Sequence, residues 1–293
     1  MGDSARAETD ILTNGVVHKD EEAEELEESS ELIILGSGSS TGVPSPVCLL
    51  RPSDPPCPVC HKAMEGPPKA NKNYRIDALI LTHEHADATL GLDDIRGVQN
   101  FSALNDVEPM PVFVSQQTMD SLLARFPYLV EKKLKAGQEV RRVAQLDWRV
   151  IQTSCSTFFE AFGLEIVPLP VMHGEDCLSL GFLFGKKHRV AYISDVSRIP
   201  ESTERLISAD GEFGPVDVLI LDTLFKYRRH NTHFCLEDSL ATVKRLRPKR
   251  AFFVGMTHEF DHERDNLELA EWSRRENLSV QLAYDGMRIP VHI

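Results

Sequence analysis

The 293 residues carry 45 acidic against 32 basic side chains, a formal net charge of −13, and are 42% apolar, 7% aromatic and 26% charged. This is the composition of a globular chain, which excludes a collagen-like repeat, a mostly unfolded polymer and a disulfide-dense miniprotein; the length allows one large α/β domain or two small ones. The charge sits at one end: residues 1–31 hold 11 acids and 2 bases, leaving residues 32–293 at only −4, with no broad basic face for nucleic acid.

No run of about 18 apolar residues is present, so no membrane-spanning helix is expected. The first residues lack the apolar stretch of a signal peptide and are too acidic for a transit peptide. The expected location is the cytosol, with the nucleus as the alternative. There the six cysteines read as thiols or metal ligands rather than disulfides.

In chain order, residues 1–31 read as a disordered acidic tail and residues 32–293 as one domain without an internal linker. Order begins with a buried strand at 32–35 that runs into Gly36-Ser37-Gly38-Ser39-Ser40-Thr41-Gly42. A Pro-rich loop with Cys48, Cys57 and Cys60 fills 44–68. Strands are expected at 78–81, 112–114, 148–151, 164–169, 178–184 and 190–194, with an amphipathic stretch at 90–101 and a helix at 116–126. The last third alternates strand 217–221, helix 236–246, strand 251–254, helix 266–275 and strand 280–283, then a tail from Met287. Strand-rich segments with inserted helices imply an α/β fold with sheet packed on sheet and helices outside.

The strongest chemical signal is Thr82-His83-Glu84-His85-Ala86-Asp87 at the end of the strand at 78–81. Residues two apart in extended backbone point the same way, so His83, His85 and Asp87 converge. Two imidazoles and a carboxylate suit zinc, manganese or iron, and the i, i+2 spacing is not that of a helical zincin. His173, Asp195, Asp222 and His258 each follow an apolar strand. Strand ends of one sheet share an edge, where a metal cluster forms.

With Gly36–Pro44, Gly91-Leu92-Asp93-Asp94-Ile95-Arg96, Tyr192-Ile193-Ser194-Asp195, Asn231-Thr232-His233, Thr257-His258 and Tyr284-Asp285-Gly286-Met287, the chain resembles the metallo-β-lactamase fold superfamily. Within it the likeness is to the phosphoribosyl 1,2-cyclic phosphate phosphodiesterase group and its eukaryotic hydrolase relatives, over essentially 32–293. The resemblance implies a four-layer αββα sandwich and a two-metal site of zinc or manganese. His83, His85 and His173 would hold one ion, Asp87 and His258 the other, and Asp195 would bridge them. Metal-activated water would attack phosphorus, with Asp87 and His233 as catalytic residues and His233 protonating the leaving oxygen. Asp222 would orient a ligand histidine. A structural zinc on Cys48, Cys57, Cys60 and His262 is also implied, with His61 as alternative fourth ligand.

Two departures stand out. The family motif His-x-His-x-Asp-His ends here in Ala88, which removes a ligand of the second metal and leaves that ion weaker. The family also has a two-strand hairpin between the cysteine loop and the His-x-His strand. Here Asn73-Tyr74-Arg75 runs straight into Ile76-Asp77-Ala78, and two strands with their turn need roughly 25–40 residues.

The resulting expectation is a metal-dependent hydrolase cleaving a small cyclic or nucleotide-like phosphodiester. Lys226-Tyr227-Arg228-Arg229-His230, near His233, either steers that anion or is a solvated loop. The rivals are a non-catalytic, shortened relative, a nuclease of the tRNA 3′-processing type, and a thioester hydrolase of the glyoxalase type. Nucleic acid and membrane partners are not expected, and a homodimer is left open.

Overall fold

Short apolar runs become strands and amphipathic stretches become helices in the computed structural model, which describes residues 30–40, 48, 55–63, 76–102, 105–131 and 142–293. The order is β1 (Ser30–Ile34), α1 (Pro58–Ala63), β2 (Leu79–Ile80), α2 (Ala86–Thr89), a 3-10 helix (Leu90–Gly97), β3 (Met110–Ser115), α3 (Gln116–Arg125), α4 (Pro127–Val130), β4 (Leu146–Ile151), β5 (Phe159–Ala161), β6 (Leu164–His173) and β7 (Cys177–Phe184). There follow β8 (Val190–Ile193), α5 (Glu201–Ile207), β9 (Val218–Asp222), α6 (Leu236–Leu246), β10 (Arg250–Val254), α7 (His262–Glu276), β11 (Val280–Leu282) and β12 (Met287–Val291).

Seven strands form one sheet in the order β11-β10-β9-β8-β7-β6-β5; β2-β3-β4 form a second, parallel sheet, and β1 pairs antiparallel with β12. Alternation along the strands sorts side chains into layers. From β8, β9 and β10, Ile193, Leu219, Leu221 and Phe253 pack on Ile207, Val243, Leu246 and Leu269 of α5, α6 and α7. Their neighbours Val190, Val218, Ile220 and Phe252 face Ile34, Ile289 and Val291 of β1 and β12. Likewise Val112 and Val114 of β3 pack on Leu122 and Leu129 of α3 and α4, whereas Phe113 faces Ile166, Leu180 and Phe182 of the large sheet. Each fully buried large apolar side chain contributes about 1.5–3 kcal/mol. The layers are therefore helix, sheet, sheet, helix, as expected.

Helix ends follow their sequences. In α6, Glu237 and Asp238 open the helix and Lys244 and Arg245 close it, each complementing the helix dipole. Arg247, at φ 54°, ends it in the left-handed region. In α7 the Asp261 carboxylate accepts the Arg264 N–H at 2.9 Å, so the helix begins at His262, four residues before the expected start.

The first strand begins at Ser30, two residues inside the expected tail; residues 1–29 lie outside the described residues. The expected C-terminal tail is partly strand β12, and α1, α4, α5 and β5 were not expected. Residues 64–75, which contain the junction where the family hairpin is missing, also lie outside. Among the described residues no strand stands between β1 and β2, and their two ladders are separate.

What matters for function is the parallel run of β8, β9 and β10. Their ends at Ile193, Asp222 and Val254, within one residue of register, carry the following loops to one edge of the sheet.

Candidate metal centre

β2 ends at Ile80, and the Leu180 N–H of β7 donates to the Thr82 carbonyl at 2.9 Å, fixing the His-x-His segment against the large sheet. His83 and His85 there meet His173 at the end of β6, with ring centroids 4.6–5.0 Å apart and ligand nitrogens within 4.8 Å of one another. His83 and His173 are buried.

The outer hydrogen bonds orient the rings. His173 Nδ1 donates to the Thr232 carbonyl at 2.8 Å, leaving Nε2 as a lone pair 3.1 Å from His85 Nδ1. His83 Nδ1 is 2.9 Å from the Thr82 hydroxyl, and its Nε2 is buried with no hydrogen-bond partner. An orphaned buried imidazole nitrogen beside two facing ones is costly unless a cation occupies their focus. Burial lowers the His83 pKa and brings His173 down to about 4, with repulsion from His233 adding to the effect. Both are thus neutral, the form that ligates metal. These three residues fit a divalent ion.

Asp195 follows β8 at φ 50°, with its carboxylate, His173 and His233 forming a second group within 4.8 Å. His233 Nε2 is 3.9 Å from Asp195 Oδ1, while its Nδ1 donates to Asp222 Oδ2 at 2.7 Å. Asp222, buried at the end of β9, also accepts the Val196 N–H at 3.1 Å. Burial works against a charged His233, but the hydrogen bond and charge of Asp222 prevail and raise its pKa. Asp222 therefore orients His233 rather than a metal-ligand histidine. Gly255 makes room for it: at φ 76°, a Cβ there would lie 2.6 Å from Asp222 Oδ1.

His83, Asp87, Asp195, Asp222 and His233 line a cleft of about 640 Å3 whose wall also includes the apolar Ile33 and Ile80. A larger groove of about 1030 Å3 opens at the other end of β6, by Leu164, Phe162 and Phe213, with no metal-ligand cluster in it among the described residues.

The structure thus brings together His83, His85, His173, Asp195 and His233, with Asp87 in the same cleft. His258 Nδ1 groups with Cys48, Cys57 and Cys60. His262, expected on the cysteines, has its Nε2 near the Leu282 carbonyl at 3.3 Å and the Asn266 amide at 3.1 Å, its ring edge-on to Tyr284. His61 is exposed. Four positions separate His258 and His262: α7 starts at His262, whose ring lies toward Leu282 of β11.

The basic loop is largely neutralised. Lys226 is buried against Asp265 at 2.7 Å, Arg228 pairs with Glu259 at 3.3 Å and Arg229 with Glu237 at 3.2 Å. Neither sequence reading anticipated these acids, which come from α6, α7 and the segment before α7.

A family model described as a β-lactamase superfamily domain matches residues 58–256. Among solved structures, a diphosphatase of the PhnP family is 27% identical with a TM-score of 0.65, covering 89% of this chain and 96% of that one. Zinc-bound PqqB from Methylobacterium extorquens gives 16% identity and a TM-score of 0.57, over 89% and 100% of the two chains. The short form of human tRNase Z gives 15% and 0.54, over 90% and 100%. A curated relative from Porphyromonas gingivalis, named octanoyltransferase, is 24% identical in an alignment 284 positions long that covers 87% of this chain; the chain spans about half the length of that relative. No helix among the described residues is long and apolar enough to cross a membrane. Layer order, strand-end histidines and the family match thus agree, and the chain belongs to the metallo-β-lactamase fold superfamily of metal-dependent hydrolases.

Proposed function

We propose that the protein is a phosphodiesterase acting on a small cyclic or nucleotide-like phosphodiester. The observation that carries this reading is the pairing of the three-imidazole cluster with a carboxylate-held histidine across one cleft. His83, His85 and His173 would hold a divalent ion, which when bound would supply charge stabilisation and acidify a water. The chain supplies the rest. His233, whose pKa Asp222 raises, faces the cleft with Nε2 free of Asp222, placed to give a proton to a leaving oxygen. Asp195 and Asp87 line the same cleft. The apolar wall at Ile33 and Ile80 accepts the non-ionic part of the substrate.

The likeness to a PhnP-family diphosphatase supports phosphorus chemistry. A nuclease needs basic groups to hold a polyanion, and the cations next to His233 are already paired with acids. The test is hydrolysis of bis-p-nitrophenyl phosphate by the full chain with Mn²⁺ or Zn²⁺. Turnover should fall at least 100-fold in His83→Ala, and in His233→Ala with bound metal retained. Wild-type turnover equal to that of His83→Ala overturns the reading.

A further inference from the structure

The three converging imidazoles come from two different sheets. His173 ends β6 of the large sheet, whereas His83 and His85 lie on the segment that leaves β2 of the small one. The small sheet holds that segment through the Leu81 N–H, which donates to the Phe113 carbonyl of β3 at 3.0 Å. The large sheet holds it through the Leu180 N–H on the Thr82 carbonyl at 2.9 Å. Both contacts lie before His83.

The next hold on the segment comes from α3, at Glu84, the residue between the two histidines. The Gln117 side-chain amide donates to Glu84 Oε1 at 2.8 Å, and the Arg125 guanidinium donates to the Glu84 backbone carbonyl at 2.7 Å. One stands in the first turn of α3 and the other is its last residue, so the helix grips Glu84 by side chain and main chain together. Glu84 Oε2 is buried and has no hydrogen-bond partner among the described residues. A buried carboxylate oxygen left in this way is costly, and its negative charge favours a cation held by the neighbouring imidazoles.

The helix is itself a fixed support. The Ser115 hydroxyl accepts the Thr118 N–H at 3.1 Å as its cap, and Leu122 packs on Val112 and Val114 of β3. Gln117 and Arg125 are exposed, so core packing does not account for their meeting on one residue. Metal–ligand distances tolerate only about 0.2 Å, and a segment bearing two of three ligands has to be held that closely against the third.

We infer that Gln117 and Arg125 are positioning residues of the metal centre: acting through Glu84, they set how tightly His83, His85 and His173 hold a divalent ion. The inference rests on the metal-hydrolase reading for the ion and not on the identity of the substrate.

The test uses the full chain and Zn²⁺, at a temperature where every metal-free variant is folded. Chelator competition gives the affinity for the ion that wild type binds and His83→Ala does not. Gln117→Leu and Arg125→Leu should each weaken that ion about 10–100-fold, as when the partner of a metal ligand is removed elsewhere. Arg125→Lys should recover most of the loss. Gln117→Leu should add nothing to Glu84→Ala, because its contact is to that carboxylate. Arg125→Leu should still weaken the ion in Glu84→Ala, because its contact is to the main chain. Arg142→Leu is the control, since its guanidinium also donates to a backbone carbonyl, that of Arg96 at 2.8 Å, and it should leave the affinity unchanged. An affinity within about twofold of wild type in either Gln117→Leu or Arg125→Leu overturns the inference, as does an equal loss in Arg142→Leu. Wild type without a His83-dependent ion overturns the inference and the metal-hydrolase reading together. A bound ion without phosphodiester turnover overturns the functional reading alone.

Discussion

Asp195 adopts φ 50°, a left-handed conformation that costs a residue with a Cβ about 1–3 kcal/mol and clusters at functional sites. What holds it is the turn after β8, where the Val196 N–H is captured by the buried Asp222 carboxylate. The same carboxylate holds His233, so one side chain sets both the metal-side acid and the proton donor. Gly255→Ala tests this coupling. The added methyl meets Asp222 Oδ1 and must also adopt φ 76°, a strain of about 1–2 kcal/mol. Phosphodiester turnover should drop on the order of 10–100-fold, as for other disturbed orienting groups, with bound metal unchanged by mass spectrometry. Strand-end position made His83, His85, His173, Asp195 and Asp222 legible in the sequence, because apolar runs mark where a sheet stops. The partner of Asp222 was not legible, since His233 lies 11 residues on, in a loop. Nor was the exchange of His258 for His262: ring direction depends on where α7 begins, and that is set by the Asp261 cap.

At the scale of elements, β8, β9 and β10 were readable because both faces are buried and the runs are wholly apolar. β12 was not, although Met287, Ile289 and Val291 alternate with exposed Arg288 and Pro290. A proline at the end of a chain resembles a tail, but here it sits on a ladder with β1 as its partner, opposite Glu31, where such a residue is tolerated. The start of β9 is fastened electrostatically. Asp217 accepts the Arg189 N–H at 2.8 Å and pairs with Lys249 at 2.6 Å. Although burial works the other way, Lys249 and the Arg189 N–H hold its carboxyl below the usual aspartate range. A carboxyl with a depressed folded pKa adds stability above its unfolded pKa, and that contribution is lost as pH falls through the folded value. Asp217→Asn should therefore lower the melting temperature at neutral pH and converge with wild type in strong acid. Melting curves across pH check this, and equal differences at every pH would refute it.

For the whole molecule, the layered architecture followed from alternation alone, since one period-2 pattern assigns each strand residue to a helix-facing or sheet-facing core. The absent hairpin was legible only against the family pattern. Its structural counterpart is the separation of the β1–β12 ladder from β2-β3-β4, with Ile33 and Ile80 facing the cleft between them. The charge distribution also belongs to this scale. Of the −13, residues 1–31 contribute −9. The cations grouped beside His233 are spent on internal partners, Lys226 within a buried pair.

Those pairings have a kinetic consequence. A cluster of unpaired cations would draw a phosphodiester in from a distance, and added salt would then slow capture steeply. With Lys226, Arg228 and Arg229 each facing an acid, encounter should proceed as for neutral molecules. Between 50 and 500 mM NaCl, kcat/KM for bis-p-nitrophenyl phosphate should change by less than about threefold, whereas freeing Arg228 by Glu259→Gln should introduce a salt dependence that wild type lacks.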